Sequence, residues 1–428
     1  MTTDIVIIGS GCAGLYCALH LSKERKITII TKSNVKESDS FLAQGGMCTL
    51  REPSDYELFF EDTLKAGHYE NDKKSVEIMI QSSPDVVREL ISYGTDFQKD
   101  ENGELLFTQE GAHSKKRIIY HEDTTGEEIT STLLKKVRKQ KNIQILENTT
   151  MIDLIVQDNC CYGTVVLKED GKIEAIQAKT TVIATGGIGG LYEHSTNYKH
   201  ITGDAHAIAL KHGIELKNMD YVQIHPTAFY TKEGRNFLIS ESVRGEGAVL
   251  RDKNGNRFVN ELLPRDLLTK EIWKQMEKDG TDYVWEDLRT IPEKELKEHF
   301  PNIIKYCMEQ GYDVTKECIP VVPAQHYFMG GIKVNHDSET SMKYLYAIGE
   351  AACNGVHGKN RLASNSLLES LVFAKRAAEH IERDSEIWSR NENNMINIDF
   401  EEYADTEHLL ECYKNAVRTE IKNAKKRG

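Results

Sequence analysis

The sequence has no run of about 18 or more apolar residues, and basic residues are too few to balance the acidic ones. A helix that crosses a membrane needs about 20 apolar residues in succession, so we expect no membrane span. The formal net charge of −13 repels phosphate backbones and disfavours a general nucleic-acid partner. An anionic small molecule would need a local cluster of Arg and His residues to bind.

Disulfide and metal-ligand patterns are also missing. The nine cysteines are scattered, apart from the adjacent Cys160 and Cys161, and none belongs to a C-x-x-C pair. Because the spacing of structural zinc sites is absent, we expect no metal. An odd number of unpaired cysteines fits buried thiols in a reducing compartment. The first residues carry neither the basic region nor the cleavage site of a signal peptide, so we expect a cytoplasmic protein.

What the sequence does contain, near its start, is a glycine-rich turn. An apolar segment at 4–8 precedes a G-x-G-x-x-G motif at 9–14, a helical pattern continues to about residue 24, and a second apolar segment covers 27–31. This order predicts a strand, a turn and a helix whose N-terminus can hold a pyrophosphate. The motif alone also fits a plain turn between a strand and a helix.

An acidic residue that usually accompanies this motif in an NAD site is absent. In such sites an Asp or Glu at the end of the second strand holds the ribose. Here the strand ends at Thr31 and Lys32, and Glu37 follows only after a further loop. The departure argues against an ordinary NAD site and leaves FAD open, if other contacts hold the ribose.

Three later segments favour a flavin site. Residues 39–46 form a polar loop that ends in two glycines and can lie against an isoalloxazine ring. Residues 181–187 predict a buried strand that stops in small residues. Residues 360–369 run from a loop into a helix, whose first turn offers backbone N–H groups to an electron-rich flavin edge.

The order of these segments predicts an α/β fold whose nucleotide-binding domain is built from both ends of the chain. We expect a Rossmann-like FAD-binding domain at 1–220 and 328–384, with an inserted α+β capping domain at 221–327. A short C-terminal helical segment is expected at 385–428.

Local signals predict where several helices begin and end. A long helical pattern at 73–93 is closed by Gly94, and another helix is expected from about 362 to 381. The patterns S-x-x-E at Ser54 and T-x-x-E at Thr125 predict two further helix starts through capping boxes.

The glycine-rich turn and the three later segments, in this order, resemble the succinate dehydrogenase and fumarate reductase flavoprotein superfamily over about residues 4–382. This resemblance implies FAD as the cofactor. In the membrane-bound respiratory members a histidine beside the 39–46 loop carries the flavin covalently; Asp39 stands there in this chain, so we expect noncovalent FAD. The residues assigned to the cofactor are Gly9, Ser10, Gly11, Cys12, Ala13, Gly14, Lys32, Asp39, Ser40, Phe41, Leu42, Ala43, Gln44, Gly45, Gly46, Ala184, Thr185, Gly186, Asp204, Glu350, Ser366 and Leu367.

Candidate anion-binding residues lie in and around the expected inserted domain. A dicarboxylate needs cationic donors at both ends, and Arg offers a planar fork that matches a carboxylate. The resemblance implies that His225, His326 and Arg361 bind the substrate carboxylates and that Ser240 and Glu241 complete the pocket.

The resemblance also implies a catalytic role for Arg265, as the proton donor and acceptor. Arginine holds its proton too tightly in water to act as an ordinary base. Such a role therefore requires a closed, desolvated site from which the proton can be relayed.

The segment at 108–126 distinguishes members of the superfamily from one another. It resembles the members that oxidise L-aspartate rather than the fumarate reductases. An amino-acid oxidase must recognise an amine that succinate lacks, and Glu110 is the candidate partner of that amine. The alternative is that Glu110 is a surface acid on a polar loop.

The resemblance implies hydride transfer from the Cα of L-aspartate to FAD, giving iminoaspartate. Oxygen or fumarate would reoxidise the flavin, and a hand-off to a quinolinate synthase would make this the first step of NAD biosynthesis. A soluble fumarate reductase or succinate dehydrogenase flavoprotein is the nearest rival, with the same pocket apart from the Glu110 segment. A flavin-containing RNA-modification protein also opens with G-x-G-x-x-G, but the net charge of −13 weighs against it.

Overall fold

The computed structural model describes residues 1–390 and 396–427. Its strands are β1 (Thr2–Ile8), β2 (Ile27–Ile30), β3 (Met47–Cys48), β4 (Ile118–Ile119), β5 (Ile143–Leu146), β6 (Thr149–Gln157), β7 (Cys160–Lys168), β8 (Ile173–Ile183), β9 (Leu216–Lys217), β10 (Val222–Phe229), β11 (Val249–Arg251), β12 (Val284–Asp287), β13 (Ile319–Phe328), β14 (Gly331–Lys333), β15 (Leu345–Ala347) and β16 (Ala352–Cys353). The helices are α1 (Cys12–His20), α2 (Tyr56–Ala66), α3 (Lys73–Tyr93), α4 (Thr125–Val137), α5 (Asp204–Lys211), α6 (Glu241–Gly245), α7 (Arg265–Asp279), α8 (Glu293–His299), α9 (Pro301–Glu309), α10 (Ser366–Arg383), α11 (Ser385–Ser389) and α12 (Thr406–Arg427).

A seven-stranded sheet forms the larger part of the molecule, with β1 between β2 and β8. Strands β5, β2, β1, β8 and β15 run parallel, whereas β7 pairs antiparallel with β8 and β6 pairs antiparallel with β7. Buried Ile and Val residues fill β1, as expected for a parallel strand covered on both faces. Because the chain order reverses beside β1, a ligand is expected at the carboxyl end of this strand.

Helices cover both faces of this sheet. On one face α1, α3, α4 and α10 bury their apolar sides in a single hydrophobic core. On the other face α5 and α12 pack against residues of β6, β7, β8 and β15. The expected Rossmann-like fold class is confirmed.

A separate four-stranded antiparallel sheet, in the order β10-β13-β12-β11, is built from the region where the inserted domain is expected. It has its own hydrophobic core, to which Leu268, Ile272 and Ile303 contribute from α7 and α9. Its first and last strands, β10 and β13, pair with each other. The chain therefore enters and leaves this unit at one place. This double connection holds the unit over the carboxyl ends of the parallel strands.

Several local boundaries differ from the sequence predictions. Helix α1 ends at His20 rather than near residue 24, because Leu21 is already extended. Helix α10 begins at Ser366, not at 362. Neither predicted capping box forms: Asp55 and Thr124 occupy the two N-cap positions, and neither caps through its side chain.

Two helices lie in the described part of the C-terminal segment. Helices α11 and α12 occupy most of the segment expected to be helical. Residues 391–395 and 428 of the predicted segment lie outside the described residues. Within the described ranges no helix combines the length and apolar character that crossing a bilayer requires.

Close packing of backbone against backbone at Gly9 generates a prediction. Gly9 has a φ of +122°, and a Cβ atom there would lie 2.0 Å from the Ala184 carbonyl oxygen. We expect Gly9→Ala to lower the free energy of unfolding by at least about 2 kcal/mol, measured by chemical denaturation of the flavin-free protein.

Gly171 provides the matched control, since its φ is +81° but no atom of residues 1–390 or 396–427 lies within 4 Å of an added Cβ. Gly171→Ala should cost only about 1 kcal/mol, the backbone strain alone. Equal losses in the two variants would contradict the role assigned to the Gly9–Ala184 contact.

Candidate active site

A cavity of about 410 Å³ lies at the carboxyl end of β1 and extends under the four-stranded sheet. The larger sheet, its helices and its loops supply most of its wall, and the β10–β13 unit supplies the rest. Of the residues assigned to the cofactor or substrate from sequence, all except Gly14 line this cavity.

The glycines of the G-x-G-x-x-G motif have two roles: some line the cavity, and one allows close packing of α1 on β1. Gly9 and Gly11 line the cavity at the start of α1. Gly14 is not among the lining residues, and a Cβ there would lie 2.2 Å from the Gly9 carbonyl oxygen. Its hydrogen side chain lets α1 approach β1, and the N-terminus of α1 thereby faces the cavity.

Lys32 stands where an NAD site would carry an acid. Its Nζ donates to Asp204 Oδ2 at 2.6 Å, to Thr202 Oγ1 at 3.0 Å and to the His200 carbonyl at 3.0 Å. Both Lys32 and Asp204 line the cavity. The pair links the end of β2 to the start of α5, so the acidic partner comes from a distant segment.

The 39–46 loop forms a wall of the cavity and presents polar atoms to it. Asp39 Oδ1 accepts a hydrogen bond from the Tyr198 N–H at 2.9 Å. Burial raises the pKa of Asp39 to about 7. Its Oδ2 is among the buried cavity-lining atoms that have no hydrogen-bond partner in the described residues, which are Ser38 Oγ, Asp39 Oδ2, Gln44 Oε1, Thr185 Oγ1, Asn197 Oδ1 and His225 Nε2.

These features fit FAD. Buried polar atoms are normally hydrogen-bonded, so a group of unpartnered ones around a single cavity indicates a polar ligand. The turn at Gly9 and Gly11 would hold the pyrophosphate at the N-terminus of α1. The 39–46 loop, Thr185 and the start of α10 would surround the ring system.

In the part of the cavity that contains the residues assigned to the substrate, four polar residues form one connected cluster. Arg265 Nε donates to Glu241 Oε2 at 2.5 Å, and Arg265 Nη1 donates to Gln223 Oε1 at 2.8 Å. The same Gln223 oxygen accepts from Arg361 Nε at 3.3 Å. Arg361 also lies over the ring of Tyr327, 4.4 Å from its centroid. The cluster places two guanidinium groups side by side on the cavity wall.

The electrostatics of this cluster favour anion binding. Burial, together with the charge of Arg265, lowers the pKa of Arg361 to about 10, which still leaves it protonated at neutral pH. Burial acts to raise the pKa of Glu241, but Arg265 and Arg244 outweigh it and hold that pKa below its ordinary value. Glu241 therefore remains an anion and compensates part of the positive charge.

Two histidines complete the wall on neighbouring strands. The rings of His225 on β10 and His326 on β13 lie 5.2 Å apart. Burial, with the nearby arginines, holds the pKa of both well below the usual range, so each is a neutral imidazole. His326 Nδ1 lies 2.8 Å from Thr196 Oγ1. His225 Nδ1 lies 2.9 Å from the Thr227 carbonyl oxygen, and its Nε2 has no partner in the part of the chain that the structure describes.

Glu110 is buried rather than a surface acid. Its side chain reaches the cavity between the 39–46 loop and the cluster around Arg265. Ser242 Oγ donates to its Oε1 at 3.1 Å, and Ser364 Oγ donates to its Oε2 at 2.6 Å. Burial, and then the charge of Glu241, raise the pKa of this carboxyl group.

Ser240 lies at the N-cap of α6, where its Oγ accepts from the Ser242 N–H at 3.3 Å. This cap places Glu241 at the first position of the helix. Sequence reasoning missed Gln223, although it lies two residues before His225 on one strand, a spacing that places both on one face. It also missed Arg244, which is buried and whose Nε and Nη2 have no hydrogen-bond partner within the described ranges.

Comparison with known proteins identifies the class first. A family model described as FAD binding domain matches residues 4–367. The whole chain superposes on 74% of E. coli quinol fumarate reductase in a mutant form, with a TM-score of 0.85 and 29% sequence identity. The fold and the site thus define an FAD-dependent oxidoreductase, and FAD is its cofactor.

More similar relatives narrow the class to one family. L-aspartate oxidase of Clostridium perfringens is 50% identical over 377 residues, which are 88% of this chain and 85% of the relative. L-aspartate oxidase of Clostridium acetobutylicum is 48% identical over 417 residues, which are 97% of this chain and 95% of the relative. The chain belongs to the L-aspartate oxidase family.

The buried acids of the cavity generate a pH prediction. Burial, and then the charge of Asp39, raise the pKa of Glu350 from 4.5 to about 8. The folded protein therefore holds a proton that the unfolded chain has lost above about pH 4.5. The stabilising contribution of Glu350 is complete below that pH and is lost as the pH rises through about 8.

The Tm of the flavin-free protein should fall as the pH rises from about 5 to about 8, and it should fall less in Glu350→Gln. Glu101→Gln changes an exposed acid and should follow the wild-type curve. Parallel curves for wild type and Glu350→Gln would contradict the elevated pKa.

Proposed function

We propose that this protein oxidises L-aspartate to iminoaspartate. The observation that carries the proposal is the position of Glu110: a buried acid stands among the cations that a dicarboxylate requires. Succinate and fumarate offer such an acid nothing to bind. The ammonium group of aspartate offers it a cation in a desolvated cavity, where an ion pair is strong.

Each part of the substrate has a matching group in the cavity. Arg361, His225 and His326 would bind the two carboxylates, with the Ser240 hydroxyl as a further donor. Glu110 would accept from the ammonium group. Three points of attachment on different sides of Cα fix which substituent points away from the protein toward the flavin space, so the pocket selects one enantiomer.

FAD, when bound, supplies the two-electron acceptor for the hydride that leaves Cα. The protein holds Cα in place, excludes water, and controls the protons around it. Arg265 is the group that we assign to proton transfer. Its ion pair with Glu241 provides a route for the proton in a site too buried for bulk water.

The same residues suit fumarate as an electron acceptor, with Arg265 donating the proton that completes succinate. We therefore propose fumarate and oxygen as alternative acceptors, the latter yielding hydrogen peroxide. Since iminoaspartate is unstable in water, we also propose a hand-off to a quinolinate synthase in NAD biosynthesis, in the cytoplasm. Because Asp39 occupies the position of the flavin-linked histidine, we propose that FAD is held noncovalently.

A dicarboxylate dehydrogenase or reductase is the second candidate. It is favoured by the likeness to quinol fumarate reductase and by the Arg265–Glu241 pair. This candidate does not explain why Glu110 is buried in the cavity, because neither succinate nor fumarate carries a cation for it to bind.

Substrate-dependent reduction of the flavin separates the two candidates. We expect L-aspartate, added to the purified yellow protein without oxygen, to bleach the oxidised flavin absorbance. Succinate should bleach it far more slowly, because it leaves Glu110 buried without a partner. Bleaching by succinate but not by aspartate would overturn the proposed function and establish the second candidate.

The variant Glu110→Gln tests the role of the acid. It keeps the shape but removes the charge, and we expect KM for L-aspartate to rise about tenfold or more. Fumarate reduction with an artificial electron donor should change much less, since fumarate has no ammonium group. Glu101→Gln, an exposed acid on the preceding turn, serves as the control. Equal losses with both substrates would contradict amine recognition by Glu110.

A further inference from the structure

Ser364 has an unusual backbone for its residue type. It lies between Arg361 and the start of α10, it is only 8% exposed, and its φ is +62°. Residues with a side chain seldom adopt this left-handed conformation, which glycine occupies more easily. A strained residue in a ligand cavity is retained where its side chain serves a purpose.

The hydroxyl of Ser364 joins two parts of the site. It donates to Glu110 Oε2 at 2.6 Å and accepts from the Gly46 N–H at 3.3 Å. Because the Gly46 N–H supplies the proton of the second bond, the hydroxyl proton is free to point at the carboxylate. The acid assigned to the substrate amine is thereby tied to the end of the 39–46 loop.

The backbone beside Ser364 is also held from both sides. The Cys48 N–H donates to the Ser364 carbonyl oxygen at 3.0 Å. On the preceding residue, His113 Nε2 lies 3.0 Å from the Ala363 carbonyl oxygen. Arg117 Nη1 lies 3.0 Å from His113 Nδ1.

These contacts settle the tautomer of His113. Since Arg117 can only donate, Nδ1 accepts, and Nε2 carries the proton that it donates to Ala363. Burial lowers the pKa of His113 to about 4, in keeping with a neutral ring. Arg117 is itself fixed by ion pairs to Asp55 and Asp62.

We propose that Ser364 is the positioning residue for the amine-recognising carboxylate, and that it thereby sets the preference for an amino acid over a plain dicarboxylate. The inference rests on the proposed function and deepens it. Ser242 holds the other oxygen of Glu110 at 3.1 Å. With one hydroxyl on each oxygen, the carboxylate can neither rotate nor withdraw from the ammonium group.

A second effect acts in the same direction. Burial and the charge of Glu241 raise the pKa of Glu110, whereas the hydrogen bond from Ser364 lowers it. Loss of the hydroxyl would leave the acid both less ordered and more often protonated. Either change weakens an ion pair with ammonium and leaves the carboxylate-binding cations in place.

Two substitutions separate the hydroxyl from the strain. Ser364→Gly removes the hydroxyl and relieves the left-handed backbone, whereas Ser364→Ala removes the hydroxyl and keeps the strain. We expect both to lower the ratio of kcat/KM for L-aspartate to that for fumarate about tenfold, chiefly through KM for L-aspartate. Bound flavin, read from the absorbance spectrum, should remain stoichiometric.

Ser338 is the matched control. It is buried, has a φ of +67°, and uses its hydroxyl to bond the Phe373 carbonyl oxygen, outside the residues that line the cavity. Ser338→Gly and Ser338→Ala should leave the ratio unchanged. A double variant, Ser364→Gly with Glu110→Gln, should have the same ratio as Glu110→Gln alone, because both changes remove one interaction.

The proposal is overturned if the ratio is unchanged in Ser364→Gly, since loss of the hydroxyl would then have no effect on the preference. It is also overturned if the double variant has a lower ratio than Glu110→Gln alone. Loss of bound FAD from both Ser364→Gly and Ser364→Ala would overturn it too, because Ser364 would then act on the 39–46 loop instead. Failure of the wild-type protein to be reduced by L-aspartate is a different result, and it would overturn the proposed function itself.

Discussion

Two guanidinium groups, those of Arg265 and Arg361, share one amide oxygen in a buried cavity. Like charges so close together would repel each other strongly in a medium of low dielectric constant. Gln223 Oε1 accepts from both, and Glu241 neutralises one of them. The acidic protein thereby concentrates positive charge at one point without leaving it uncompensated.

This cluster also joins the two halves of the molecule. Gln223, Glu241 and Arg265 belong to the unit built on β10 and β13, whereas Arg361 precedes α10 of the larger unit. In the proposed function, a dicarboxylate bound to Arg361 of the larger unit and to His225 and His326 of the other would hold the two units together. Water would then be excluded when the substrate is present, which is the condition that a proton-transferring arginine needs.

The Glu110 carboxylate is compensated in a different way from the two arginines. A buried acid beside Glu241 is costly unless hydrogen bonds or a cation compensate it. Ser242 and Ser364 supply the hydrogen bonds, and the proposed substrate supplies the cation. In the proposed function, succinate would leave the Glu110 carboxylate without its cation, and the free energy thus unrecovered would be the physical basis of discrimination against succinate.

Local patterns in the sequence were sufficient for elements that depend on their own residues. The helix at 73–93 was predicted with its closing Gly94, and α3 has these bounds with Gly94 at a φ of +101°. The glycine-rich turn predicted the site at the end of β1, and the fold class is confirmed. The capping boxes at Ser54 and Thr125 were wrong, because neighbouring residues took the N-cap positions.

The sequence by itself determined the β1–α1–β2 order with its glycine turn and the segments that carry the family resemblance, since each of these follows from residues near one another in the chain. Only the tertiary structure decided which polar residues meet. Ser364 lies 254 positions from Glu110, and Ser242 lies 132 positions from it. Serine is a common residue, so the sequence around Ser242 or Ser364 does not single them out. The sharing of the Gln223 oxygen depends on how the two units pack. Such contacts arise only when burial brings distant groups together and removes the water that would otherwise satisfy each of them.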